Sequence, residues 1–305
     1  MNSSVESTES IRLALIIPVG PEPSLENVLD TLESVCHYTT PKRKIVVLDD
    51  SGVRAGLEIH RAFPEVDIVD TNGPSGARGG LYCGLAEGFR HVLNNYPFDL
   101  LLRMDTDALM IGPEPELEAA ALFRANPQLG MLGSYRVDCN GGIRDFTPAR
   151  ELFRAELSWN AVPHFRRWRT LRRALRQAQA FGYELGEHCL GGALFLSHEC
   201  VLRMSRAGLL DREELRSSSL GEDHLLGLFT HSVGLRIGDL ATGDLPLALR
   251  YRGLPCSPAE LLQRGKKITH STRFWEQMQE PEIRRVFRSS RQQCFASTRR
   301  EDKRT

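Results

Sequence analysis

A few short groups in this 305-residue chain have residue types and spacings that could do chemistry. Asp105-Thr106-Asp107 sets two carboxylates two residues apart. In extended backbone alternate side chains share a face, so both could point toward one hard cation, Mg2+ or Mn2+. The chain holds 15 aspartates, enough for such a spacing to arise by chance, and Asp is common in turns. Position is what singles this pair out. It follows directly on the apolar run Leu100 to Met104, and ligand sites in open α/β sheets lie just past the carboxyl ends of strands.

Asp49 and Asp50 end a second such run, Lys44 to Leu48. A carboxylate there could accept a hydrogen bond from a ribose or base, although Asp-Asp-Ser-Gly is also good turn chemistry. Glu222-Asp223 follows Gly221 and opens the helical pattern Leu225, Leu226, Leu228, Phe229. Asp223 held there could take a proton from an attacking hydroxyl, while acidic residues also favour helix starts simply as caps and dipole partners. Arg78, within Gly76-Ala77-Arg78-Gly79-Gly80, could fork onto a diphosphate as the glycines let the backbone approach. The same glycines could merely close a loop, and the stretch fits neither the dinucleotide nor the P-loop fingerprint. His270, in a polar segment late in the chain, is a candidate third metal ligand, though a lone histidine is more commonly a surface residue.

These groups need a scaffold, and the patterning supplies one. Strand-length apolar runs at Leu13 to Val19, Lys44 to Leu48, Val66 to Val69, Leu100 to Met104 and Met131 to Ser134 alternate with helical spacings such as Leu25, Val28, Leu32, Val35 and Leu81, Leu85, Phe89, Val92. That alternation predicts βαβ units and a mostly parallel sheet, with right-handed crossovers bringing the strand ends to one edge. Residues 138–188 break the rhythm and read as a helical insertion, expected to be the acceptor region. Regularity returns at Gly191 to Ser197, with a further strand at Leu235 to Ile237. Within the insertion, Phe165, Trp168, Leu171, Leu175 and Ala178 form one face and Arg166, Arg167, Arg169, Arg172, Arg173 and Arg176 cover the rest. This suits either an anionic membrane surface or acidic acceptor, or a solvated face packed on the core. Residues 1–10 are expected to be disordered, 11–275 to form one domain and 276–305 to be a basic, polar tail.

Composition bounds the partners. Basic and acidic residues balance at 39 each, so no overall field favours nucleic acid. Seven cysteines without a C-x-x-C pair fit a reducing compartment better than a disulfide framework. No secretory signal is read at the N-terminus, and no apolar run approaches the ~18 residues of a spanning helix. A cytoplasmic location is expected, with peripheral contact at the inner face of a membrane kept open.

Taken together, Ile16-Ile17-Pro18-Val19, the strand end Val46 to Gly52, Gly76-Ala77-Arg78, Asp105-x-Asp107 and Glu222-Asp223 resemble, in order, the inverting glycosyltransferases of the GT-A fold, and in particular the group-2 family. The resemblance covers roughly residues 11–237, the insertion excepted. It implies a single Rossmann-like α/β domain that uses a nucleotide-sugar donor, a UDP-sugar favoured, and a glycan or lipid-linked acceptor. Donor binding would fall to Pro18, Val19, Asp49, Asp50, Arg78 and Asp105, metal binding to Asp107 with His270, and the base role to Asp223. The chain departs from the family at Gly20-Pro21-Glu22-Pro23, where a Tyr-Asn-Glu-like run is usual, which weakens Glu22 as a nucleotide contact. Two rival readings stand beside this one. A sugar nucleotidyltransferase would open with a G-x-G-T-R run, which Pro18-Val19-Gly20-Pro21 is not. A non-catalytic nucleotide-sugar binder would keep the fold without a working base.

Overall fold

The computed structural model describes residues 11–71, 76–158 and 163–301; the expectation for residues 1–10 lies outside them. In chain order the elements are β1 (Leu13–Val19), α1 (Leu25–Tyr38), β2 (Arg43–Asp49), α2 (Ala55–Ala62), β3 (Asp67–Asp70), α3 (Gly79–Asn95), β4 (Leu100–Met104) and β5 (Ala108–Met110). Then come α4 (Pro115–Ala125), β6 (Leu129–Gly133), α5 (Thr147–Leu157), α6 (Phe165–Ala180), β7 (Ala193–Ser197), α7 (His198–Arg206), α8 (Glu222–Ser232) and β8 (Arg236–Asp239). The chain finishes with β9 (Leu247–Leu249), α9 (Pro258–Gln263), β10 (Ile268–His270), β11 (Phe274–Trp275), β12 (Met278–Gln279) and α10 (Glu280–Glu301).

A seven-stranded sheet in the order β3-β2-β1-β4-β7-β6-β8 forms the centre. Every residue of β1 and β4 is buried, as expected of strands covered on both faces. Side-chain alternation sorts them into two cores. Leu13, Leu15, Ile17 and Val19 pack with α1, α2 and α4 on one face, while Ala14 and Ile16 pack with α3, α7 and α8 on the other. The first helix illustrates the local logic: the Ser24 hydroxyl accepts the Asn27 amide as an N-cap, and Val28, Leu32 and Val35 line the buried stripe.

The sheet is mostly parallel with one strand reversed, and two expectations need correction. β7 runs antiparallel to both β4 and β6, so its start, not its end, lies at the edge where β4 delivers Asp105. The 276–305 stretch is not simply a tail. From Glu280 through Arg291 it is packed helix, with Arg284 and Arg291 buried and ion-paired to the buried Asp30 at 3.0 and 2.6 Å. With Arg288 at 3.2 Å, three arginines surround this buried carboxylate and satisfy a charge that would otherwise cost several kcal/mol. Finally, α6 is rotated from the anticipated face. Arg167 points inward with Leu171, Ala174 and Ala178, pairing with Glu156 at 2.8 Å and donating to the Ser217 carbonyl; Phe165 is 51% exposed.

Candidate functional site

The carboxyl ends of β1, β2 and β4 and the start of β7 share one edge, and a cleft of about 520 Å³ opens there. Asp105, Asp107, Arg78, His188, Asp223 and His270 all contribute to its walls. A cavity of about 590 Å³ lies instead beside Arg12 and Asp99, at the start of β4; Asp99, its one carboxylate, is spent on Arg12 at 2.6 Å.

Asp107 and His270 are 163 residues apart in sequence, and strand pairing brings them together. β10 runs antiparallel to β5, setting His270 opposite Ala108, and the Thr272 amide donates to the Asp107 carbonyl at 2.9 Å. His270 Nε2 then lies 3.2 Å from Asp107 and 3.8 Å from Asp105. Gly192, at φ +102°, allows this closeness, because a Cβ there would fall 2.4 Å from His270 Cγ. The Arg250 carbonyl accepts from His270 Nδ1 at 2.9 Å, which fixes the tautomer whose Nε2 lone pair faces the carboxylates. Two carboxylates and one oriented imidazole within 4.8 Å of one another are a fitting donor set for Mn2+ or Mg2+. Burial raises the Asp107 carboxyl, but His270, Arg273 and Ser271 outweigh it and hold it well below the usual carboxylate range. Burial opposes charge on His270 too, yet Asp107 and Asp105 raise it overall.

Arg103 is a residue the pattern concealed, because it sits inside an apolar strand run. It is 1% exposed, and its Nη2 lies 2.8 Å from both Asp105 and Glu222. Burial works against its charge, but Asp105, Glu222 and Asp223 together keep it firmly protonated. One guanidinium thereby ties the carboxylate after β4 to the first turn of α8.

Asp223 occupies that turn. Its carboxylate accepts the His224 amide at 2.8 Å and the Gly191 amide at 3.3 Å, and His188 Nε2 stands 3.9 Å away. Burial pushes Asp223 up, but His188, His224 and the His224 amide bring it below its ordinary value. Glu222, one residue earlier, is pushed by burial up to about 7 despite Arg103. Two adjacent carboxylates thus differ in their readiness to be ionised. His188, Asp223 and His224 also lie within 4.8 Å of one another, but Arg144 donates to His188 Nε2 at 3.0 Å and its cation opposes a metal there. Burial keeps His188 neutral, down to about 4, with Nδ1 bonded to the Gly186 carbonyl at 2.8 Å.

The remaining expected residues divide. Arg78 is exposed on the cleft wall at the start of α3. The glycine that follows it serves packing, since a Cβ on Gly79 would fall 2.0 Å from the Leu215 carbonyl oxygen. Pro18 and Val19 are buried at the end of β1, next to Asp49 in register, and do not line the described cleft. Asp49 is engaged within the fold: its Oδ1 accepts from the amide and hydroxyl of Ser51, and its Oδ2 accepts the Gly56 amide at 2.8 Å. Its carboxylate is therefore committed to the turn and to the start of α2. Asp50 accepts the Thr71 hydroxyl at 2.6 Å. Arg103, Arg273 and His188 were missed; their signals were a charge within an apolar strand, a basic residue after the candidate histidine and a histidine beside Gly191-Gly192.

No protein-family model matches the sequence, and no curated protein is similar to it in sequence. Similar solved structures include the mannosyltransferase PcManGT from Pyrobaculum calidifontis in complex with GDP-Man and Mn2+, at 14% identity over 84% of this chain and 61% of that one, TM-score 0.47. Residues 1–349 of S. aureus TarS match at 15% identity over 76% and 58% of the two chains, TM-score 0.41. Their complex with UDP matches at 16% over 83% and 63%, TM-score 0.45. This chain spans about three-fifths of the length of each of those proteins.

Proposed function

We propose that this chain is a metal-dependent glycosyltransferase that moves a sugar from a nucleotide-sugar donor, a UDP-sugar favoured, to a hydroxyl of a glycan or lipid-linked acceptor, with inversion. The observation that carries the reading is the meeting, in one cleft, of Asp105, Asp107 and His270 with a separately held carboxylate, Asp223. A divalent ion held by Asp105, Asp107 and His270 would neutralise the charge developing on a departing nucleoside diphosphate. Arg78 adds a cation at the mouth of the cleft, suited to the same diphosphate. Asp223, ionised and fixed by two backbone amides, takes the proton of the attacking hydroxyl. Arg103 keeps Asp105 and the start of α8 in fixed relation, so that base and donor meet in one geometry. The 138–188 insertion supplies Leu152 and His188 to the cleft wall, which supports its reading as the acceptor side.

No helix among the described residues is long and apolar enough to cross a membrane, and we place the enzyme in the cytoplasm. The rival nucleotidyltransferase reading lacks its glycine-rich opening. A non-catalytic binder would show donor binding without turnover. The deciding experiment is a thermal-shift series of UDP-, GDP- and dTDP-sugars with and without Mn2+, since a ligand that binds only the native state raises its melting temperature by mass action. One nucleotide should shift the melt strongly only with Mn2+, followed by release of nucleoside diphosphate on turnover. Absence of any metal-linked shift would refute the proposal.

A further inference from the structure

The basic helix α6 lies outside the cleft, and what sets its arginines apart is their clustering on one helix. Single exposed arginines elsewhere, such as Arg54, Arg124, Arg154 and Arg285, also lack an ion pair among the described residues, while Arg12, Arg61 and Arg216 face an acidic partner. Arg166, Arg169, Arg172, Arg173 and Arg176 are exposed, and none of the five forms an ion pair among the described residues. The helix contains no acidic residue. Its arginines stand at i, i+3 and i, i+4 from one another, where like charges repel, so the bare helix carries a repulsion that an anionic surface would relieve. Two of them stack on aromatic rings, Arg169 on Phe165 at 5.6 Å and Arg172 on Trp168 at 4.6 Å. Phe165 and, just past the helix end, Phe181 are each 51% exposed. The opposite face is fully committed, through Arg167, Leu171, Ala174 and Ala178.

Beside this stripe is a small groove of about 130 Å³ walled by Arg169, Arg173, Gln177 and Arg212. Arg212 Nε is buried without a hydrogen-bond partner among the described residues, and the one carboxylate near its head, Glu214, is 3.9 Å away and accepts the Thr170 hydroxyl. The groove has the size and charge for a phosphate group.

We propose that the outer face of α6 docks the protein on an anionic phospholipid bilayer, with exposed Phe165 and Phe181 at its ends and a headgroup phosphate in the groove at Arg169, Arg173 and Arg212. Parallel contact of an arginine-rich helix with exposed aromatics suits the interface of such a membrane. The inference does not depend on the glycosyltransferase reading. Because the whole chain has zero net charge, attraction to an anionic surface has to come from a local patch.

The test is co-sedimentation of the full chain with vesicles of phosphatidylcholine alone or mixed with phosphatidylglycerol, at low and high salt. The intact protein should bind the mixed vesicles only, and release in high salt. Replacing Arg169, Arg172, Arg173 and Arg176 by Gln should lower partitioning by about two orders of magnitude or more, with the melting temperature unchanged. A variant of equal charge loss elsewhere, Lys42→Gln with Arg61→Gln, Arg124→Gln and Arg285→Gln, should still bind. No binding to mixed vesicles, or equal loss in both variants, overturns the proposal. So does tighter binding of duplex DNA or RNA than of vesicles.

Discussion

Replacing Glu222 by Gln should make the metal-free protein more stable at pH 8 and leave it nearly unchanged at pH 5. Glu222 is buried beside Arg103 and Asp223, and burial raises its carboxyl from 4.5 to about 7 even though Arg103 opposes the rise. A carboxyl raised on folding holds a proton that the unfolded chain has already released. Its contribution is therefore complete below about pH 4.5 and is lost as the pH climbs through about 7. The span from 4.5 to about 7, at about 1.36 kcal/mol per pH unit, amounts to about 3 kcal/mol. Gln mimics the protonated acid, keeps an oxygen for the Arg103 Nη2 now 2.8 Å from Glu222, and cannot ionise.

Other groups titrate in the same window. His188, lowered by burial to about 4, adds stability as the pH rises from 4 toward 6.5, while the raised His270 loses it as the pH rises. Both are present in each protein and drop out of the difference. Urea unfolding in chelator at half-unit steps from pH 5 to pH 8 gives that difference directly. A variant-minus-native stability that stays flat across the range, or falls with pH, would refute the assignment of Glu222 as a buried carboxylate pushed toward neutrality.

Three further outcomes follow from the cleft. Asp223→Asn should keep the oxygen that accepts the His224 amide but set an NH2 against the Gly191 amide, costing about 1 kcal/mol, while donor turnover, read as nucleoside diphosphate release, falls roughly 10²- to 10⁴-fold. Asp107→Asn should abolish the Mn2+-induced rise in melting temperature without unfolding the protein; an undiminished rise would place the ion elsewhere. Gly192→Ala combines a φ of +102° with a Cβ 2.4 Å from His270 Cγ, so it should cost about 1–3 kcal/mol in urea and weaken Mn2+ binding together, whereas loss of one without the other would separate the glycine from the metal site.

What could be read from sequence was what neighbours along the chain decide. β1 and β4 run Leu13–Val19 and Leu100–Met104, the limits their apolar runs suggest, because a strand buried on both faces must be apolar throughout. Helices such as α1 and α3 fell where apolar residues recur at helical spacing. Asp105, Asp107 and Asp223 stood out for the same local reason: each ends or begins an element whose pattern is visible within a few residues.

Pairing between distant segments decided the rest. Nothing near Arg103 says that its charge is met by Glu222, 119 residues away, and nothing near His270 says that β10 will align with β5 beside Asp107. Only the fold showed that Ser51 and Gly56 donate to Asp49, and that α6 turns Arg167 inward to meet Glu156. Secondary structure and the supply of candidate groups follow from short-range sterics and burial periodicity, which the sequence carries in full. Which groups face each other, and which carboxylate stays ionised, depends on burial and on charges brought close only by the completed fold.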